Sequence, residues 1–306
     1  MAATAPLKKF PGAILIVSNG EFRYPITPLP SAQKDAESMR DFFGKTLNYQ
    51  LVEMHVGLTA NKFEICFKSF ANKVKDPSLE LAVVYLSSHG GRTSSPDQTF
   101  VCFKTTELSD PETPQFALMG DELIKLVGLL SCKRKILLLD CCHAGGIGSL
   151  KTSTGTATKP LEFEIGRTTG QAAEGLVVLG ACKAEQEAFA GSQIGKASPF
   201  TKCIIKAFDA KDEMKNQGEY SIFLCAFLNQ LSKNVAKNLG ENSQLTIKTD
   251  NLVHFHEFII GKRRKPVRKP PAPKSKKISP APQRKRLSSG PAPGKATPSS
   301  KKHRGK

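Results

Sequence analysis

Four runs dominated by apolar residues recur along the chain: Ala13–Val17 (AILIV), Leu79–Leu86 (LELAVVYL), Ile136–Leu139 (ILLL) after Lys135, and Gly175–Gly180 (GLVVLG). None shows helical spacing, and runs this short predict strands buried on both faces of a parallel sheet. Between them the period changes. Ala32, Ala36, Met39 and Phe43 recur at helical spacing after Ser31, which predicts an amphipathic helix over 32–46. Thr59 caps a second helix whose apolar face is Phe63, Phe67, Phe70 and Val74. Further helices are predicted over Asp121–Leu130, from Ser198-Pro199-Phe200 onward, and over Ser221–Leu239. Gln50–Val56 and Gln244–Thr249 read as additional strands, and Thr99–Phe103 and Phe116–Met119 as short ones. Strands alternating with helices predict an α/β sandwich around a mainly parallel sheet.

Composition divides the chain. The formal charge of +18 resembles that of a nucleic-acid binder, but residues 262–306 hold 17 of the Lys and Arg and no Asp or Glu. The remainder carries a net charge of only +1. The expected organisation is a short extension over 1–10, one globular domain over 11–261 and a basic tail over 262–306. That tail is too poor in apolar residues to offset the entropy of ordering, so disorder is expected there. Within the domain, 147–175 is rich in Gly, Ser and Thr and reads as a mobile surface loop.

Eight cysteines sit mostly inside apolar runs, which does not resemble a disulfide framework and suggests a reducing compartment. Lys8-Lys9 precede an apolar run too short for a signal sequence, and nothing approaches the roughly 20 apolar residues of a membrane span. A soluble protein of the cytoplasm or nucleus is expected.

Two of the central runs end in reactive residues: Ser87-Ser88-His89-Gly90-Gly91 after one and Asp140-Cys141-Cys142-His143 after the other. Open α/β sheets place their chemistry beyond the carboxyl ends of strands. Neighbouring parallel strands lie about 4.8 Å apart, so groups just past their ends can meet. A histidine beside a cysteine favours the nucleophilic thiolate. The amides of Gly90 and the cysteine are candidate donors to a developing oxyanion. A zinc site at Cys141-Cys142-His143 is disfavoured, because adjacent ligands chelate poorly and no C-x-x-C partner exists.

The pair resembles the caspase-like cysteine peptidases, in which the nucleophile follows the histidine by roughly 50 residues. Here Cys142 follows His89 by 53. Asp140-Cys141-Cys142-His143-Ala144-Gly145 is similar to the D-x-C-H-S-G motif of metacaspases, and Leu29–Ala36 to their L-x-G-C-x-N-D-A segment. The resemblance covers roughly 11–260 and implies a caspase-like three-layer sandwich. It implies Cys142 as nucleophile, His89 as base, and Asp35 with Asp140 as an acidic S1 pocket for a P1 arginine or lysine. Glu187 is a weaker third member of that pocket. The loop 147–175 lies where relatives are cut between subunits, and Lys151, Lys159 and Arg167 are candidate autoprocessing sites. Calcium-dependent metacaspases carry an acidic cluster after the histidine. Here Arg92–Gln98 and Ile147–Ser153 contain only Asp97, so calcium activation finds no evident ligand set and no other metal or cofactor is expected.

The function expected is therefore a cysteine endopeptidase acting on proteins or peptides with basic P1 residues. The competing reading is a catalytically silent caspase-like scaffold acting through its tail. Lys262–Lys265 and Arg284–Arg286 look like nuclear-import clusters, and any nucleic-acid contact by a tail without aromatics is expected to be non-specific.

Overall fold

The structure is a computed structural model. It describes residues 9–93, 98–110, 114–144, 175–182, 195–208, 214–216, 219–239, 246–249 and 259–264. In chain order these form β1 (Phe10–Ser18), α1 (Ala32–Asp41) running into a π-helical turn (Phe42–Thr46), β2 (Tyr49–Val56), α2 (Ala60–Lys73) and β3 (Leu81–Ser87). Three short strands follow, β4 (Gly90–Arg92), β5 (Thr99–Val101) and β6 (Leu118–Met119), then α3 (Gly120–Gly128) and β7 (Arg134–Asp140). After these come β8 (Leu176–Gly180), α4 (Pro199–Ala207), β9 (Met214–Asn216), β10 (Glu219–Phe223), α5 (Leu224–Leu239), β11 (Thr246–Thr249) and β12 (Ile259–Arg264).

The central sheet has the order β11-β8-β7-β3-β1-β2. Five strands are parallel and β11 joins antiparallel at one edge. Side chains alternate between its two faces. Ile14, Ile16, Val83, Tyr85, Ile136 and Leu138 pack with α1, α4 and α5 on one side. Ala13, Leu15, Val84, Leu86, Leu137 and Leu139 pack with α2 and α3 on the other. This is the α/β sandwich that the apolar runs predict, since each strand buries both faces and reads as a continuous run.

Two antiparallel three-stranded sheets, β4-β5-β6 and β12-β10-β9, add to this frame. The second corrects two expectations. Ser221-Ile222-Phe223, expected to open the long helix, pairs with β12 instead, and helix α5 begins at Leu224. There Leu224, Phe227, Leu228, Leu231 and Val235 take up helical spacing into the core. The tail was expected to leave the domain after Gly261, yet β12 continues through Arg264. Its anchor is Ile260, almost fully buried, whose carbonyl accepts the Tyr49 hydroxyl at 2.5 Å. A backbone ladder is indifferent to side-chain charge, so Lys262-Arg263-Arg264 pair with β10 despite their composition. The first three residues of the import-like cluster are thus held in a strand. The rest of the tail, Arg284–Arg286 included, lies outside the described residues, as do residues 147–174.

Parallel register sets the site. Ser18 pairs with Ser87, and Ser87 with Asp140, so β1, β3 and β7 end flush at one edge.

Candidate active site

His89 and Cys142 each stand two residues beyond the paired positions Ser87 and Asp140. The topology thereby brings two residues 53 apart in sequence to one sheet edge. Ser88 reinforces the junction: its amide donates to the Asp140 carbonyl at 3.2 Å, and its hydroxyl to the Cys102 carbonyl at 2.5 Å.

The imidazole of His89 is held by a contact that side-chain motifs do not reveal. Its Nε2 lies 2.7 Å from the carbonyl oxygen of Thr27, and a carbonyl only accepts, so Nε2 carries the proton. In the neutral ring Nδ1 then keeps its lone pair. Burial lowers the His89 pKa below the usual histidine range, against a smaller upward pull from Thr27. The ring is neutral at pH 7 and can accept a proton. Phe22 packs beside it, with ring centroids 4.9 Å apart.

The thiols next to it differ by burial. Cys141 and Cys102 are almost fully enclosed, whereas Cys142 is half-buried. Desolvation drives Cys141 well above the ordinary thiol range, Cys102 to about 12 and Cys182 to about 11. Those three stay protonated and unreactive at neutral pH. Alternation explains the choice: Cys141 continues the β7 face that packs with α2 and α3, while Cys142 has left the strand. His143 then turns the chain with φ +56°, in the left-handed region, where non-glycine residues are uncommon.

Gly90 faces the backbone of Cys142. A Cβ on Gly90 would sit 2.2 Å from the Cys142 carbonyl oxygen, so only glycine fits. The Cys102 amide donates to the His89 carbonyl at 2.9 Å, which turns that carbonyl toward β5. In a trans peptide the Gly90 N–H points the opposite way, away from β5. It is therefore placed to donate at the strand-end side.

Asp35 and Asp140 lie on the other side of the edge, in the layer formed by α1 and α4. Both are buried, Asp35 completely. The Ser198 amide donates to Asp35 Oδ1 at 2.6 Å, and the Ser87 hydroxyl to Asp35 Oδ2 at 3.3 Å. The hydroxyls of Ser198, Thr201 and Tyr85 donate to Asp140 Oδ2 at 2.5, 3.2 and 3.3 Å. Ser31, which stands at the N-cap position of α1, makes no capping bond and turns its hydroxyl to Asp35. None of these donors is a cation. Desolvation raises Asp35, and raises Asp140 to about 7 with the neighbouring Asp35 charge adding to it. A buried carboxylate pair that no cation among the described residues neutralises is an electrostatic receptor for one.

Of the residues that sequence reasoning proposes, His89, Gly90 and Cys142 stand at one strand edge and Asp35 and Asp140 in the adjoining layer; that reasoning did not point to every group found here. It missed Thr27, whose contribution is a backbone carbonyl, and the hydroxyl set Ser87, Ser198, Thr201 and Tyr85, which only the register assembles. Glu187, Lys151, Lys159, Arg167 and Asp97 lie outside the described residues. Among the described residues no group of three or more His, Cys, Asp or Glu is arranged to hold a metal ion.

The family model for the caspase domain matches residues 11–278. The chain belongs to the caspase family. Caspase a of Danio rerio is 24% identical over 155 residues, which span 49% of this chain and 38% of that protein. In fold, the chain is similar to the crystal structure of caspase-1 from Spodoptera frugiperda, with a TM-score of 0.51 at 13% identity. That match covers 79% of this chain and 87% of the other. The family is one of cysteine peptidases, and its substrates are proteins. No helix among the described residues is long and apolar enough to cross a membrane.

Proposed function

We propose that this caspase-family chain is an active cysteine endopeptidase that cleaves after arginine or lysine. His89 takes the Cys142 proton at Nδ1 while Thr27 holds Nε2. The thiolate attacks the scissile carbonyl, and the amides of Gly90 and Cys142 receive the oxyanion. His89 returns its proton to the leaving amine, and water then releases the acyl chain by the same path.

The observation that carries the basic preference is the buried pair Asp35 and Asp140, tied by Ser198 and, among the described residues, hydrogen-bonded by no cationic donor. A P1 guanidinium would supply the missing charge, whereas an acidic P1 would add a third negative group. The metacaspase-like motif supports the same reading. From the sequence resemblance alone, Glu187 is carried as a further acidic member of the pocket, and Lys151, Lys159 and Arg167 as the autoprocessing sites consistent with it. The competing scaffold reading leaves the His89–Thr27 contact and the half-buried Cys142 without a use.

Purified protein incubated alone and with its Cys142→Ala variant tests autoprocessing. Cleavage after 151, 159 or 167 in the wild type only is the expected pattern. A wild type that stays one chain while hydrolysing peptide contradicts the autoprocessing assignment. The expected localisation is cytoplasmic or nuclear, with the basic tail as an import signal, and deletion of 265–306 in a fluorescent fusion tests it.

A further inference from the structure

A thiol and an imidazole also meet away from Cys142 and His89. They do so on β2, the edge strand of the central sheet, which β1 separates from β3. On the face toward α2, β1 presents Ala13, Leu15 and Val17, and their register partners on β2 are Leu51, Glu53 and His55. Two polar residues thus stand beside positions where the neighbouring strand buries aliphatic ones. Residues two apart on a strand share a face, so Glu53 and His55 both meet α2.

Helix α2 supplies a partner to each. Cys66 Sγ lies 3.8 Å from His55 Nδ1, and Lys73 Nζ lies 3.0 Å from Glu53 Oε1. Glu53 Oε2 in turn lies 3.7 Å from His55 Nε2. That nitrogen is buried and, among the described residues, has no hydrogen-bond partner. The order is thiol, imidazole, carboxylate. When Nδ1 accepts from the thiol, the neutral ring carries its proton on Nε2. The Glu53 carboxylate then faces the positive charge that proton transfer creates. Cys66 is half-buried, as Cys142 is, whereas Cys102, Cys132, Cys141, Cys182 and Cys203 are enclosed. A thiol that only fills space needs no such partners.

We infer that Cys66 is a site of reversible covalent modification, a nucleophilic thiol whose co-reactant is a small anionic disulfide of the glutathione type. The sign of the charge comes from α2. Lys62 lies one turn before Cys66 and Lys73 two turns after it, on the same helical stripe. The Cys66 S–H bond breaks and its proton passes to His55 Nδ1. The thiolate then attacks one sulfur of the disulfide, so that a new S–S bond forms as the old one breaks. The Cys66 sulfur is oxidised and the departing sulfur reduced, and the departing thiolate takes the proton from His55. The product is a mixed disulfide at Cys66 and one free small thiol. Neither Cys142 nor His89 takes part, so the site stands apart from the peptidase reading.

The test uses the full chain carrying Cys142→Ala, so that the catalytic thiol does not compete. Glutathione disulfide is added at pH 7.5, and mixed-disulfide formation at each cysteine is timed by peptide mass spectrometry. Cys225 on α5 is the internal reference, since it is half-buried too and, among the described residues, no histidine hydrogen-bonds to it. Cys66 should react at least about tenfold faster than Cys225. His55→Gln should bring Cys66 down to the Cys225 rate, and Glu53→Gln should slow it at least about threefold. An unchanged Cys225 rate in each variant reports a retained fold. The ratio of Cys66 to Cys225 without these substitutions decides the matter if a variant unfolds. Lys62→Glu should slow glutathione disulfide at Cys66 at least about threefold more than it slows the uncharged 2-hydroxyethyl disulfide. A Cys66 rate no greater than that of Cys225, or one that His55→Gln leaves unchanged in a folded protein, would overturn the site. Equal slowing of both reagents by Lys62→Glu would overturn the anionic co-reactant.

Discussion

The hydroxyl of Ser198 donates to Asp140 Oδ2 at 2.5 Å across 58 residues of sequence, while the Ser198 amide holds Asp35. The same hydroxyl accepts from the Thr201 amide at 3.0 Å and so caps α4. One residue thus opens a helix and fixes the spacing of two buried carboxylates. Ser198→Ala removes the cap and one donor but keeps the backbone amide. A stability loss of about 1–3 kcal/mol in urea unfolding is expected. Hydrolysis of arginine peptides should fall with it, because Asp140 loses a donor that favours its charged form. Ser198→Thr, which retains the hydroxyl, should recover both in part.

The carboxylate pair makes stability depend on pH with a definite sign. Both pKa values are raised on folding, from 3.8 to about 7 for Asp140, so the folded state binds protons more tightly than the unfolded one. The contribution of the pair is therefore most favourable at low pH and declines as pH rises from about 4 through about 7. Urea unfolding at pH 5 and pH 8, in wild type and Asp140→Asn, isolates it. Relative to the variant, wild type should lose stability between the two values. An identical pH dependence in both proteins would contradict the burial assigned to Asp140.

Gly90→Ala places a methyl group where the Cys142 carbonyl oxygen stands, 2.2 Å away. Neither backbone can yield without moving the nucleophile or the proposed oxyanion donor. The expected loss in kcat is at least about a hundredfold, comparable to removing one oxyanion donor. Circular dichroism should report a folded protein, since the site lies at the sheet edge and not within the helix layers.

Burial ranks the four neighbouring thiols. Iodoacetamide at pH 7.5, read by peptide mass spectrometry, should label Cys142 at least about tenfold faster than Cys102, Cys141 or Cys182. Cys141→Ala should keep most of the activity, and its cost should appear in stability. Faster labelling of Cys141 would exchange the roles of the two adjacent residues.

The framework was legible where burial is two-sided. Strands such as Val83–Leu86 and Ile136–Leu139 face helices on both sides and therefore read as apolar runs. The histidine and the cysteine were legible because both follow such runs. Elements held by ladder pairing were not: β4 begins with two glycines, and β12 ends in three basic residues. Nothing in their composition announces a strand, and their pairing partners are distant in sequence. Phe42–Thr46 continued the expected helical pattern, but the structure widens it into a π turn after Asp41. At the site, Asp35 reads in sequence as an ordinary acid in the first turn of a helix. Its burial against Ser87 and Ser198 is set by the register between β3 and β7 and by the position of α4. Thr27 was invisible for a simpler reason, since any residue offers the same carbonyl.

The most direct measurement is hydrolysis of fluorogenic peptides identical except at P1, with arginine, lysine or aspartate, by wild type and Cys142→Ala. Wild type should cleave the arginine and lysine peptides and leave the aspartate peptide intact, while Cys142→Ala should lose at least about a thousandfold in kcat. Asp140→Asn should lower kcat/KM for arginine by at least about thirtyfold, as expected when one member of a buried charge pair is removed. Cleavage after aspartate alone, or undiminished activity in Cys142→Ala, would contradict the account.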